Sequence, residues 1–241
     1  MRQSNNYIIL YAAVLTVACA LTLAFASISL KDKQEANIAR EKKMNILSTV
    51  ITLEENANVE AIYAKRIKAY VIDFNGNIKD GVEAEKINIA EEYKKKAEER
   101  SLPVFEVRSE SNPEQVEFTV LPVYGFGLWN NIWGFVALKS DFSTVQGVKF
   151  QHAGETPGLG ARIESGEIQD RYKGKTIFES GALAPIVMKK GEGMDYSNQP
   201  HEVDGMSGAT LTAKGVNNML QDYLKCYEKY LTKNQTTALN Q

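Results

Sequence analysis

LPVFEVRSESNPEQVEFTVLPVYGFGLWNNIWGFVALKSDFSTVQGVKFQ, residues 102–151, decides the fold. Four short runs within it, Leu102 to Arg108, Val116 to Val123, Gly134 to Lys139 and Val145 to Gln151, are rich in branched and aromatic residues and bounded by turn formers, which predicts strands. Just upstream, Lys68 to Phe74, the Asn75-Gly76 turn and Asn77-Ile78 read as a hairpin. Asn88 to Arg100 is so densely charged that it predicts a helix with a solvated face. Downstream, Val216, Met219, Leu220, Tyr223, Leu224, Tyr227, Tyr230 and Leu231 recur at three and four, the pattern of an amphipathic helix with one face on the core. Thr212 is its expected N-cap, although Gly215 stands where a glutamate would complete a capping box. A strand-rich order with helices between and after predicts an α+β fold with a mainly antiparallel sheet and packed helices.

The remaining chain sets the boundaries. Its 241 residues carry 28 basic and 30 acidic side chains and are 44% hydrophobic, enough for one medium domain with an appendage, and unlike a collagenous, disordered or disulfide-scaffold protein. With a net charge of −2 and Lys94 to Lys96 as its longest basic run, no surface is expected for a nucleic-acid backbone. The appendage is Tyr7 to Leu30, free of charge and about 36 Å long as a helix, against a bilayer core of about 30 Å. Ala24-Phe25-Ala26 has the form of a signal-peptidase site, but the apolar run continues past it and only Arg2 precedes the run, so a retained anchor is expected. Thr16 stands where a lipoprotein signal before Cys19 would need a large aliphatic residue. No carboxylate lies in the span, so this helix alone offers no ion pathway. The lysines and arginines at 31, 33, 40, 42 and 43 would favour a cytoplasmic domain by charge bias, although Asp32, Glu35 and Glu41 interleave with them. The expected organisation is an anchor over 1–30, a helical connector over 31–66, a domain over 67–231 and a polar, disordered tail over 232–241.

Three stretches depart from ordinary core and surface: Gly125 to Gly134 (GFGLWNNIWG), His152 to Gly160 (HAGETPGLG) and Asp204 to Thr212 (DGMSGATLT). Glycine-rich loops are common, but three in one domain point to a shared site. Other motifs fail on their residues. Gly174-Lys175-Thr176 lacks the earlier glycine of a P-loop, because Gln169 stands there, and no Gly-x-Gly-x-x-Gly occurs. His152 and His201 have no ligand partners at zinc spacing, which leaves surface or supporting roles for both. Ser207, His201 and Asp204 crowd into seven positions without a nucleophile elbow. In the third stretch, Ser207, Gly208 and Ala209 allow a bulky group near the main chain, and the Thr210 hydroxyl sits at a helix start whose free amides favour a phosphate. Spacing alone leaves open whether this is a phosphoester site or a capped helix.

Asp204-x-x-Ser207-Gly208-Ala209-Thr210 resembles the flavinylation motif of the FMN-binding domain family, and Glu155-Thr156-Pro157-Gly158-Leu159-Gly160 resembles that family's second signature. With Gly127-Leu128-Trp129 and Trp133-Gly134-Phe135 behind one anchor, the chain is most similar to the C subunits of sodium-translocating NADH:quinone oxidoreductases. The G subunits of Rnf-type ferredoxin:NAD complexes share the flavinylation motif and the Thr-Pro-Gly-Leu-Gly loop. An anchored, colourless binding module is the alternative of another class.

The resemblance implies covalent FMN, a phosphoester on Thr210 installed by a flavin transferase. Ser207, Gly208 and Ala209 would then shape the turn, and Thr212 would be a hydrogen-bond partner. Asp204 would serve either the transferase reaction or the bracing of the turn. Leu128, Trp129, Glu155, Thr156, Gly158, Leu159 and Gly160 would contact the isoalloxazine ring. It also implies a single-electron carrier, inactive alone, among the other subunits of a translocase in a bacterial inner membrane, with the soluble domain in the periplasm. Trp133, where the family more often has tyrosine, and Asn130 and Asn131 depart from the pattern.

Overall fold

The computed structural model describes residues 4–54 and 56–239. The elements run α1 (Asn5–Ser48), α2 (Val59–Arg66), β1 (Ile67–Ile72), α3 (Ile89–Tyr93), β2 (Leu102–Arg108), β3 (Val116–Phe126), β4 (Asn131–Lys139), β5 (Val145–His152), α4 (Gly166–Asp170), β6 (Phe178–Glu179), β7 (Ala182–Leu183), β8 (Val187–Met188), β9 (Glu202–Val203) and α5 (Thr210–Leu239). The chain divides into two units, one ending at Lys42 and one beginning at Lys43.

The first unit is the greater part of α1, a helix whose apolar window has mean hydropathy 2.5 and is not covered by protein. It is long and apolar enough to cross a membrane. The hydroxyls of Thr16, Thr22 and Ser29 donate to the carbonyls of Ala12, Ala18 and Phe25, 2.7–2.8 Å away. These polar side chains therefore need no partner outside the helix, as an apolar surrounding requires.

The second unit is built on a five-stranded sheet in the order β1-β2-β3-β4-β5, with every neighbouring pair antiparallel. Its strands read as almost continuous apolar runs because both faces are covered. Leu121, Val123, Ile132, Val136 and Leu138 face Val216, Leu220, Tyr223 and Tyr227 of α5. Val120, Phe135 and Ala137 face Ile46, Leu47, Val59 and Tyr63. The segment expected to be a connector thus supplies one wall of the core: α1 ends at Ser48, and α2 packs after the turn that follows. Two small ribbons, β6–β7 and the parallel β8–β9, lead into α5.

Several expected elements differ in extent. Strand pairing continues from Val123 to Phe126 and begins again at Asn131, so most of the glycine-and-aromatic stretch is hairpin rather than loop. Tyr124 pairs with Trp133 and Gly125 with Ile132, leaving only Gly127 to Asn130 as the tip. The helix expected over Asn88 to Arg100 is broken. Only Ile89–Tyr93 is α-helical, because the buried Glu92 carboxylate accepts the Ser101 amide at 2.8 Å and folds the chain into β2. The hairpin expected at 68–78 survives as the Gly76 turn and a single bridge, Ile72 to Ile78. Helix α5 starts two residues before the expected cap, at Thr210, and runs to Leu239, so the segment expected to be a disordered tail is helical to that residue. Asn240 and Gln241 lie outside the described residues.

Candidate functional site

The β3–β4 tip, the loop after β5 and the start of α5 meet in one cleft. Its volume is about 220 Å³, and it is lined by Leu128, by Glu155, Thr156, Leu159 and Gly160, and by Gly208, Ala209, Thr210, Leu211 and Thr212. Nine of the positions singled out in the sequence line it: Leu128, Glu155, Thr156, Leu159, Gly160, Gly208, Ala209, Thr210 and Thr212. Leu211, inside the third stretch but given no role there, lines it as well. Trp129, Gly158, Asp204 and Ser207 do not line it, and each has another place.

Glu155 joins the three segments. It is 3% exposed. One carboxylate oxygen accepts the Trp129 amide at 2.9 Å and the Asn130 amide at 3.4 Å, and the other accepts the Thr212 hydroxyl at 2.5 Å. Trp129 therefore contributes its main chain here, while its ring is 69% exposed. Burial pushes the Glu155 carboxyl up, but the donors from Thr212, Trp129, Asn130 and Leu128 outweigh burial and hold it below its ordinary value. The Glu155 amide donates to His152 Nδ1 at 3.1 Å, which places the ring proton of His152 on Nε2. The space for this carboxylate exists because two neighbours lack a Cβ. A Cβ at Gly127 would lie 2.5 Å from one carboxylate oxygen, and a Cβ at Gly160 would lie 2.6 Å from the other.

The turn before α5 is held from outside the cleft. The Asp204 carboxylate accepts amides from Gly193 at 2.7 Å, Gly205 at 3.0 Å and Met194 at 3.3 Å, which makes it a brace for the turn. Glu192 accepts the Ser207 amide at 2.9 Å and both terminal nitrogens of Arg162, at 2.6 and 3.0 Å, with Arg171 at 3.1 Å. Arg171 also donates to the carbonyls of Asp204 and Gly205. Arg162, with Ser207 and Arg171 beside it, holds the Glu192 carboxyl down to about 2. Arg162, Arg171 and Glu192 carried no sequence signal, because single charged residues in loops look like ordinary surface.

What remains free at the turn is informative. Ala209 precedes the helix and offers no side-chain cap, so the amides of Thr210, Leu211 and Thr212 have no capping oxygen among the described residues. Thr212, expected as the cap, is instead a buried donor to Glu155. The Thr210 side chain is exposed. Gly208 has φ +72°, and a Cβ there would lie 2.9 Å from Leu159 Cδ2. The left-handed φ favours glycine here, and any larger residue would also have to turn the Leu159 side chain aside.

With that geometry in hand, known proteins give a consistent answer. The family described as FMN-binding domain matches residues 127–225, a range that contains all three segments of the cleft. The C subunit of the Na(+)-translocating NADH-quinone reductase of Haemophilus ducreyi is 33% identical over 242 residues, covering 93% of this chain and 92% of that one. The chain belongs to this C-subunit family. The corresponding protein of Pasteurella multocida is 32% identical, with 99% of this chain and 98% of that one covered. The crystal structure of the C subunit from Parabacteroides distasonis superposes with a TM-score of 0.73 at 33% identity, covering 84% of this chain and 97% of that chain. These relatives are named as subunits of NADH-quinone reductases, so of the two families that the sequence resembles, membership lies with the C subunits and not with the Rnf-type G subunits. The α+β fold with its antiparallel sheet is likewise that of the family's solved structures.

The residues of the cleft suit FMN. Its volume is below the ~300–1,000 Å³ of pockets that enclose a drug-sized ligand, so a flavin here would lie partly open, against Leu128, Leu159 and Leu211, whose exposure runs from 41% to 58%. The free first-turn amides of a long helix suit a phosphate.

Proposed function

We propose that this chain carries FMN as a phosphoester on Thr210 and relays single electrons between neighbouring subunits of a sodium-translocating NADH-quinone reductase. The observation that carries this reading is the position of Thr210. It is exposed, it is the first residue of α5, and it lines the same cleft as Leu128 and the Glu155–Gly160 loop. When bound, FMN would supply the redox chemistry. The chain would supply the attachment oxygen, two walls of leucine and threonine, and a turn held rigid by Asp204 and by Glu192 with its two arginines. Ser207, Gly208 and Ala209 would set the turn's shape, with the Ser207 amide already engaged by Glu192. Trp129 would act through its main-chain amide, which Glu155 holds, and Gly158 through the left-handed turn it gives the loop.

A magnitude supports attachment by a bond. A helix terminus favours a nearby anion by only about 0.3–1 kcal/mol at an exposed site. A half-open cleft adds limited burial, so a covalent tether accounts for retention where the pocket would not. A flavin transferase would install it. The anchor would be α1, in a bacterial inner membrane, with the domain on the periplasmic side.

Intact-mass analysis after co-expression with the transferase tests the reading. The expected result is a gain equal to FMN less water, mapped to the peptide holding Thr210. Thr210→Ala should give a folded protein without flavin. Flavin fluorescence that persists with T210A on a denaturing gel would overturn the assignment.

A further inference from the structure

We propose that Glu155 is a fixed negative charge that lowers the reduction potential of the cofactor held in this cleft, an inference that rests on the cleft taking FMN. Two roles are open to a buried carboxylate that joins a hairpin tip to a helix. It can be a latch, valuable only for its hydrogen bonds, or it can be a source of electric field as well. The partners decide between them.

Glu192, some way along the same site, faces the guanidinium groups of Arg162 and Arg171 at 2.6 and 3.1 Å, so its charge is neutralised locally. Glu155 has no such counter-ion. Among the described residues no lysine, arginine or protonated histidine makes an ion pair with it, and its acceptors are filled by the neutral Trp129 and Asn130 amides and the Thr212 hydroxyl. Neutral donors keep a carboxylate ionised without cancelling its unit charge. Gly127 and Gly160 clear the space for both of its oxygens, so the chain is shaped around this group at some cost in backbone restraint. Glu155 is also one of the residues that line the cleft with Thr210 and Leu128.

A charge in this position has a direct consequence. Each electron taken up makes a flavin ring more negative, and an unpaired carboxylate beside a partly desolvated ring disfavours that change. Glu155 therefore acts as a positioning residue for the hairpin tip and as a tuning residue for the potential, making the cofactor a stronger donor.

The test uses the full chain carrying its flavin, verified by mass, and follows flavin absorbance in a redox titration. Glu155→Gln removes the charge in the same shape, since the amide oxygen can accept from the Trp129 and Asn130 amides while its NH2 donates to the Thr212 hydroxyl. Thr212→Val removes one strut of the latch and keeps the charge. The expected result is a rise in potential with E155Q such that the reduced-to-oxidised ratio at a fixed poise grows at least about tenfold, about 59 mV for a one-electron couple. T212V should stay within about threefold of wild type on the same scale. Equal shifts in both variants, or no rise with E155Q, would show a latch alone and overturn the proposal. Should E155Q not fold, Leu159→Lys places an opposing charge at an exposed position on the rim of the same cleft, and a ratio left unchanged there overturns it too. Absence of flavin from the wild-type chain fails the FMN reading itself, whereas flavin present with an unmoved potential fails only this one.

Discussion

Two glycines two positions apart in one loop offer a sharp test of how the cleft is built. Gly160 sits in a short 3-10 turn and is buried, and a Cβ there would lie 2.5 Å from Thr212 Oγ1 and 2.6 Å from a Glu155 oxygen. Gly160→Ala should therefore force apart the Thr212–Glu155 hydrogen bond. A bond to a charged group is worth about 1.5–3 kcal/mol and overpacking a filled site costs about 1–3 kcal/mol, so about 3–5 kcal/mol is expected together. Gly158 has φ +74° but no atom within 4 Å of a built Cβ, so Gly158→Ala meets only the left-handed backbone penalty of about 1–2 kcal/mol. At about 2–4 °C per kcal/mol for a domain of this size, Tm should fall by roughly 6–20 °C for G160A and by roughly 2–8 °C for G158A. The assay is thermal unfolding of the detergent-purified chain followed by near-ultraviolet circular dichroism. Gly127→Ala presses on the other Glu155 oxygen, so its cost combined with that of G160A should be less than additive. A larger loss for G158A than for G160A, or full additivity of G127A and G160A, would refute Glu155 as the common joint.

Two further outcomes follow from the same contacts. The Tyr227 hydroxyl donates to the Pro103 carbonyl at 2.9 Å in the core between α5 and β2, so Tyr227→Phe should cost about 1–3 kcal/mol by leaving that carbonyl unpartnered, measurable by urea unfolding. The Glu192 carboxyl is held down to about 2 in the fold, below its unfolded value of about 4.3, so its contribution is complete above the unfolded value and lost as pH falls through the folded one. Stability should therefore drop between about pH 5 and pH 2, and Glu192→Gln should lower the plateau while flattening that segment of the curve; an unchanged acid slope in E192Q would count against the Arg162–Glu192–Ser207 arrangement.

Local patterns were legible where local physics decides them. β2 has the expected bounds, Leu102–Arg108, because a run of branched and aromatic residues between turn formers has no better use than a strand. The helical repeat from Val216 to Leu231 was equally plain, since one face of α5 must bury eight large side chains. Helix ends were less legible. Thr212 looked like a cap because its type and place suit one, and only the approach of Glu155 from 57 positions away turned it inward as a donor. The charged run after Asn88 looked like a solvated helix because nothing nearby shows that Glu92 is buried against the Ser101 amide.

By itself, the sequence determined four of the five strands of the main sheet, the long C-terminal helix, the apolar span and the three glycine-bearing segments, because each depends on neighbours a few positions away. Only the tertiary structure decided that the three segments form a single cleft, that Glu155 joins them without a counter-ion while Glu192 has two, and that Asp204 braces a turn from outside. The reason is physical. A buried charge takes its meaning from groups brought to it by folding, and those groups lie in strands, loops and helices that no periodicity in the chain connects.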